Sequence, residues 1–252
     1  MAIGYDAASE SHTGTTGSAS EASFSWTHTP AGTPKGVLVF TFVNANADDA
    51  TAVTYGGVSL TAVSGGRAVD TAGEPGDCKA WFLGSGVPTG SQTVTVTRNN
   101  NANVMYAVAI TVTSSQDSAV HTGTGGIVLI QGDTALIEQA VTDGSSGTGN
   151  SMRFAAVNSG CDQFSTTPIK PDGITLAPYD VDSTWVHGID FGTRVCGVVR
   201  ETTAGTGSRS VGFLSPTEDT AAVHLAIKDI VAGAVTVVKD LINGFGIIPF
   251  KR

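Results

Sequence analysis

Short runs of alternating apolar and hydroxyl residues, cut by Gly, Pro, Asn and Asp, fill the chain from about Ser23 to Thr113. This pattern is the signature of antiparallel β-structure. Gln92-Thr-Val-Thr-Val-Thr97 alternates strictly, so Val94 and Val96 face one way while Thr93, Thr95 and Thr97 face water. Ser23-Phe-Ser-Trp-Thr-His-Thr29 sets Phe24, Trp26 and His28 against hydroxyl residues, and Pro30 ends it. Val37 to Val43, reading VLVFTFV, is dense enough in apolar residues to predict burial on both faces in the middle of a sheet. Val53 to Val63 carries Gly56-Gly57 between two alternating runs, the spacing of a tight hairpin that needs positive φ. Lys79 to Leu83 and Val104 to Val112 complete this half, and the Gly84 to Ser91 segment has the Gly and Pro chemistry of a connection between sheets.

The second half is less regular. Strands are predicted at Ile127 to Ile130, Leu136 to Thr142, Met152 to Asn158, Trp185 to Phe191, Thr193 to Arg200, Ser208 to Leu214 and Ala221 to Ile230. Between Cys161 and Asp182, Pro168, Pro171 and Pro178 forbid regular central strands. No repeat of fixed period occurs, which disfavours solenoids and propellers. The reading is one all-β antiparallel sandwich over residues 23–229, preceded by an N-terminal arm and edge strand (1–22) and followed by an apolar C-terminal extension (230–252).

Charged residues make up only 14% of the chain, so Ser, Thr, Asn and Gly must cover the surface, as suits an extracellular or particle-bound protein. A net charge of -9 without any basic run excludes wrapping of nucleic acid. Cys78, Cys161 and Cys196 lack Cys-x-x-Cys spacing, so no zinc knuckle or disulfide framework is indicated. They read as small buried hydrophobes, with one disulfide left open. The first residues, MAIGYDAASESHTG, have no basic region followed by an apolar run, so export by a signal peptide is not expected. Lys228, Asp229, Lys239 and Asp240 interrupt the C-terminal apolar stretch, so no membrane-spanning helix is expected.

The segments SFSWTHTP, GVLVFTF, VTYGGVSLTAV, KAWFLGSGVPTGSQTVTVT, AVAITVTS and AAVHLAIKDI resemble the jelly-roll-like domains of tailed-phage virion proteins and bacterial surface proteins. The resemblance spans about residues 11–230 and is carried by Trp26, the V-T-Y-G-G hairpin and the W-F-L to V-T-V-T segment. It implies a jelly-roll sandwich and brings no catalytic residues with it. From Ile230 onward the chain departs from that pattern.

No Gly-x-Ser-x-Gly elbow, His-Glu-x-x-His helix, phosphate loop or dinucleotide fingerprint occurs, so neither an enzyme nor a cofactor is expected. The first expectation is therefore a bacteriophage virion protein that decorates or cements a capsid or joins a tail. It would assemble in the host cytoplasm as a homo-oligomer bound to major capsid or tail subunits. Its contacts would come from the apolar tail through Val237, Leu241, Ile242, Phe245, Ile247, Ile248 and Phe250, a run costly to expose. The alternative is a carbohydrate-binding or host-adhesion module, with Tyr179, Asp182, Trp185 and His187 as glycan contacts. Asp180, Asp182, His187 and Asp190 around Trp185 also have the oxygen-rich character of a calcium loop, as do Asn44, Asn46, Asp48 and Asp49, although both read more simply as strand ends and turns. His28 and His224 sit on strand alternations and read as packed side chains.

Overall fold

The computed structural model describes residues 3–13, 21–43, 49–71, 76–99, 104–114, 120–131, 134–142, 150–159, 177–178, 183–190 and 195–229. Within them every regular element is a strand and every strand pair is antiparallel. The fold is all-β and sandwich-like.

The first half holds Gly4–His12 (β1), Ser23–His28 (β2), Gly36–Val43 (β3), Ala50–Tyr55 (β4), Val58–Ser59 (β5), Thr61–Asp70 (β6), Gly76–Leu83 (β7), Gln92–Arg98 (β8) and Met105–Thr113 (β9). They form an inner sheet in the order β1-β9-β3-β7-β6 and an outer sheet in the order β2-β8-β4-β5. Pairing is nested, β1 with β9, β2 with β8, β3 with β7 and β4 with β5. The chain thus runs as a two-stranded ribbon folded over so that successive rungs alternate between sheets. At the tip of the ribbon Gly56 and Gly57 take φ of 56° and 79°, the left-handed region a two-residue hairpin turn demands.

The second half holds Val120–Gln131 (β10), Thr134–Thr142 (β11), Ser151–Ser159 (β12), Ala177–Pro178 (β13), Ser183–Asp190 (β14), Val195–Glu201 (β15), Ser208–Glu218 (β16) and Thr220–Asp229 (β17). Its inner sheet runs β10-β17-β12-β15-β14 and its outer sheet β11-β16-β13. Each position repeats the first half: β10 stands for β1, β17 for β9, β12 for β3, β15 for β7, β14 for β6, and in the outer sheets β11 for β2, β16 for β8 and β13 for β4. The topology is duplicated in tandem. Pro178 lies on the short edge strand β13, where a missing N–H is tolerated.

The two inner sheets face each other. Along β3, Leu38, Phe40 and Phe42 point into a core shared with Met152, Phe154 and Ala156 of β12 and with Val223, Leu225 and Ile227 of β17. Val37, Val39 and Val43 point the other way, onto Phe24, Val53, Tyr55, Val94 and Val96 of the first outer sheet. A smaller cluster of Ala and Val side chains lies between the second inner and outer sheets. The layers therefore stack outer, inner, inner, outer. The contacts are reciprocal, since edge strand β6 meets β10 while its counterpart β14 meets β1. That is the self-complementary pattern of a twofold-related pair. Across this interface Asn158 Nδ2 donates to the carbonyls of Val43 at 2.8 Å and Asp77 at 3.0 Å.

With the topology known, matching sequence fragments become visible. Phe40-Thr-Phe-Val43 on β3, with Asn44 next in the sequence, corresponds to Phe154-Ala-Ala-Val-Asn158 on β12. Thr89-Gly-Ser-Gln-Thr-Val94 corresponds to Thr206-Gly-Ser-Arg-Ser-Val211, leading into β8 and β16. In these two turns Gly90 and Gly207 adopt φ of 72° and 80°, a conformation a side chain would strain.

Candidate functional site

Three polar constellations stand out against the apolar layers. The first lies on the seam between the halves, where β14 passes β1. His187 Nδ1 is 2.6 Å from Glu10 Oε2, and the same carboxylate oxygen accepts a hydrogen bond from Tyr106 OH. The Tyr106 ring stacks on Phe42 with centroids 5.5 Å apart. Burial, reinforced by the Glu10 charge, pushes the Tyr106 phenol well above its ordinary pKa and keeps it a proton donor. On the same seam the Arg200 guanidinium lies 4.4 Å from the Tyr5 ring centroid, a cation–π contact between β15 and β1.

The second constellation is a relay of hydrogen bonds inside the first sandwich. Trp26 Nε1 donates to Ser9 Oγ at 2.8 Å, and Ser9 Oγ lies 2.7 Å from His28 Nδ1. His28 Nε2 lies 3.1 Å from Thr111 Oγ1, which donates to Asp6 Oδ2 at 2.9 Å. Because the Thr111 proton goes to Asp6, His28 Nε2 must be the donor to Thr111, and Nδ1 then accepts from Ser9. The imidazole is neutral with one defined tautomer. A serine against a histidine is the contact a nucleophile would need. Here, however, the Trp26 N–H occupies the serine oxygen, and Asp6 reaches the ring only through Thr111. The relay ties β1, β2 and β9 together.

Burial lowers the His28 pKa below 6.5, against a smaller opposing effect of Asp6. The unfolded chain takes up a proton near pH 6.5 while the folded imidazole resists it. His28 therefore contributes stability that is full above that pH and lost as pH falls below it. Urea midpoints measured near pH ~7 and near pH ~5 should show a drop in the wild type that shrinks in His28→Gln. An equal drop in both proteins would refute the assignment.

The third constellation is buried in the second sandwich. Arg153 and Glu201 have side-chain exposures of 0% and 1%. Arg153 Nη1 lies 3.0 Å from Glu201 Oε2, and the Arg153 backbone N–H donates to the same oxygen at 2.8 Å. Arg153 Nε donates to the Val141 carbonyl at 2.7 Å, and its other nitrogens reach the carbonyls of Gly205 and Gly207. Arg209 Nε approaches Glu201 Oε1 at 3.0 Å from the half-exposed side. Glu201 thus accepts from two guanidinium groups, and the 205–207 turn closes over Arg153. Nothing in the sequence marked these residues.

Of the glycan candidates, Tyr179 and Asp182 lie outside the described residues. Trp185 sits on edge strand β14 opposite Val199, beside a register shift, and His187 is engaged with Glu10. Tail residues Val237, Leu241, Ile242, Phe245, Ile247, Ile248 and Phe250 also lie outside them. Asn44, Asn46 and Asp48 lie outside as well, while Asp49 pairs with Lys79 at 2.9 Å and Arg67 at 3.5 Å. Cys78 and Cys196 are buried in the shared core as thiols rather than a disulfide, and burial raises the Cys78 pKa. His28 and His224 are both fully buried, at 0% exposure. Among the described residues, no group of three or more His, Cys, Asp and Glu side chains is arranged to hold a metal ion.

No protein family, curated protein or solved structure matches the chain.

Proposed function

We propose that this chain is a non-enzymatic bacteriophage virion protein, a decoration or cement subunit on the particle surface, built from two sandwiches of jelly-roll type. The observation that carries the reading is the nested strand pairing. A ribbon whose rungs alternate between two sheets is the wrapping of a jelly roll, an architecture common in viral coat domains. In the second half the same nesting holds for β10 with β17, β11 with β16 and β12 with β15. The outermost face of the first sandwich supports a packing role. Ser23, Ser25 and Thr27 of β2 lie in register with Thr97, Thr95 and Thr93 of β8, a hydroxyl-covered surface. In this reading the sandwiches form a rigid body, and the terminal segments bind neighbouring copies or capsid and tail subunits.

The apolar sequence around Phe245, Ile247, Ile248 and Phe250 makes the C-terminal segment the first contact to test. Removing residues 231–252 is expected to abolish oligomerisation, read by light scattering, or binding to particles, read by occupancy. An unchanged oligomer together with unchanged occupancy would overturn the assembly role.

A further inference from the structure

Where the chain enters β4, a lysine and an aspartate are held together in a largely covered position. The side chains of Lys79 on β7 and of Asp49, just before β4, are 15% and 17% exposed. Lys79 Nζ donates to both carboxylate oxygens of Asp49, at 3.1 and 2.9 Å, and to the Ala50 carbonyl at 2.9 Å. The Trp81 ring covers the ammonium, with its centroid 4.5 Å away. Asp49 is also fixed through its backbone, its N–H donating to Asn99 Oδ1 at 2.8 Å and its carbonyl accepting from the Asn99 N–H at 3.1 Å. A nitrogen held against both oxygens lies within about 3.5 Å of the carbon they share, which is a near-attack separation.

The surrounding charges suit the loss of this pair. Asp77 lies two residues before Lys79 on the same face of β7, is 2% exposed and pairs with Arg67, whose Nη1 also approaches Asp49 Oδ2 at 3.5 Å. Burial pushes the Asp77 carboxyl up to about 7 against the opposing pull of Arg67 and Lys79, so this environment penalises ionised carboxylates. If Lys79 and Asp49 lost their charges together, Arg67 and Asp77 would remain as a matched pair.

We propose that Lys79 and Asp49 condense to an amide, a covalent cross-link between β7 of the inner sheet and the start of β4 in the outer sheet. Within the pair the ammonium passes one proton to the carboxylate, giving an amine and a carboxylic acid. The nitrogen lone pair then forms the N–C bond at Asp49 Cγ. The bond from Cγ to Oδ1 breaks, and the hydroxyl leaves with a second amine proton as water. Arg67 Nη1, beside Oδ2, stabilises the negative charge that this oxygen carries in the tetrahedral intermediate. The product closes the loop from Asp49 to Lys79 covalently, as a disulfide would. This reading is independent of the virion assignment, because it rests on one half of the chain and requires no assembly.

The test is the intact mass of the full chain, incubated at neutral pH and then denatured. The main species should be lighter than its sequence by one water. Trypsin should leave Lys79 uncut and joined to the peptide that carries Asp49. Lys79→Arg and Asp49→Ala should each restore the full mass. The proposal is overturned if the main wild-type species keeps the full mass, or if the water loss persists in Lys79→Arg, the mark of a cyclic imide formed by an aspartate on its own backbone.

Discussion

Arg153→Met is expected to lower the unfolding free energy by about 3–5 kcal/mol, the usual cost of leaving a buried charge without its partner. Glu201 would keep Arg209 as its one charged partner beside the backbone N–H of residue 153, and the carbonyls of Val141, Gly205 and Gly207 would lose the donor that the guanidinium supplies. For a chain of this size the thermal midpoint should fall on the order of 10 °C. The matching Glu201→Met variant should be similarly damaged, because two guanidinium groups then lose their acceptor. In the double variant neither partner is stranded, so its loss should be smaller than the sum of the singles by about 2 kcal/mol. Denaturant titrations of the four proteins measure this coupling. Strict additivity would mean that the pair is not a coupled unit.

Phe40→Ala is expected to cost about 3–5 kcal/mol, the range for truncating a buried aromatic. The more informative result is where that loss is felt. Phe40 is fully buried in the core shared by β3, β9, β12 and β17, so it belongs to both sandwiches. Hydrogen exchange should accelerate in β12 and β17 as well as in β3 and β9, and unfolding should remain one transition. Protection that fell only in the first half, with a second transition left in place, would show that the halves are independently stable.

The strands between Ser23 and Thr113 were legible because each has one wet and one buried face, or, like VLVFTFV, sits mid-sheet between two cores. Period-two alternation reports this directly. The duplication was not legible. Its surviving fragments, F-x-x-V-N and T-G-S before an alternating strand, are separated by loops of unequal length, so no constant period remains. Only the nested pairing brings them into register. The charged interior was hidden for a related reason. Arg153 interrupts Met152 to Val157 as an outward-facing residue on a half-buried strand would, but β12 is a central strand covered on both faces. His187 was noticed beside Trp185 and Asp190, yet its partner Glu10 comes from the first strand, a meeting set by the packing of one half on the other.

That packing has a consequence for how the molecule behaves on dilution. Two separate sandwiches meeting through their inner sheets would associate with an affinity that depends on how much protein is present. Here the short connection from Thr113 to Val120 makes the encounter intramolecular. A short tether holds its ends at an effective concentration of roughly millimolar, far above that of typical dilute samples. The paired state should therefore persist however dilute the protein becomes, and each chain delivers two sandwiches in fixed one-to-one ratio.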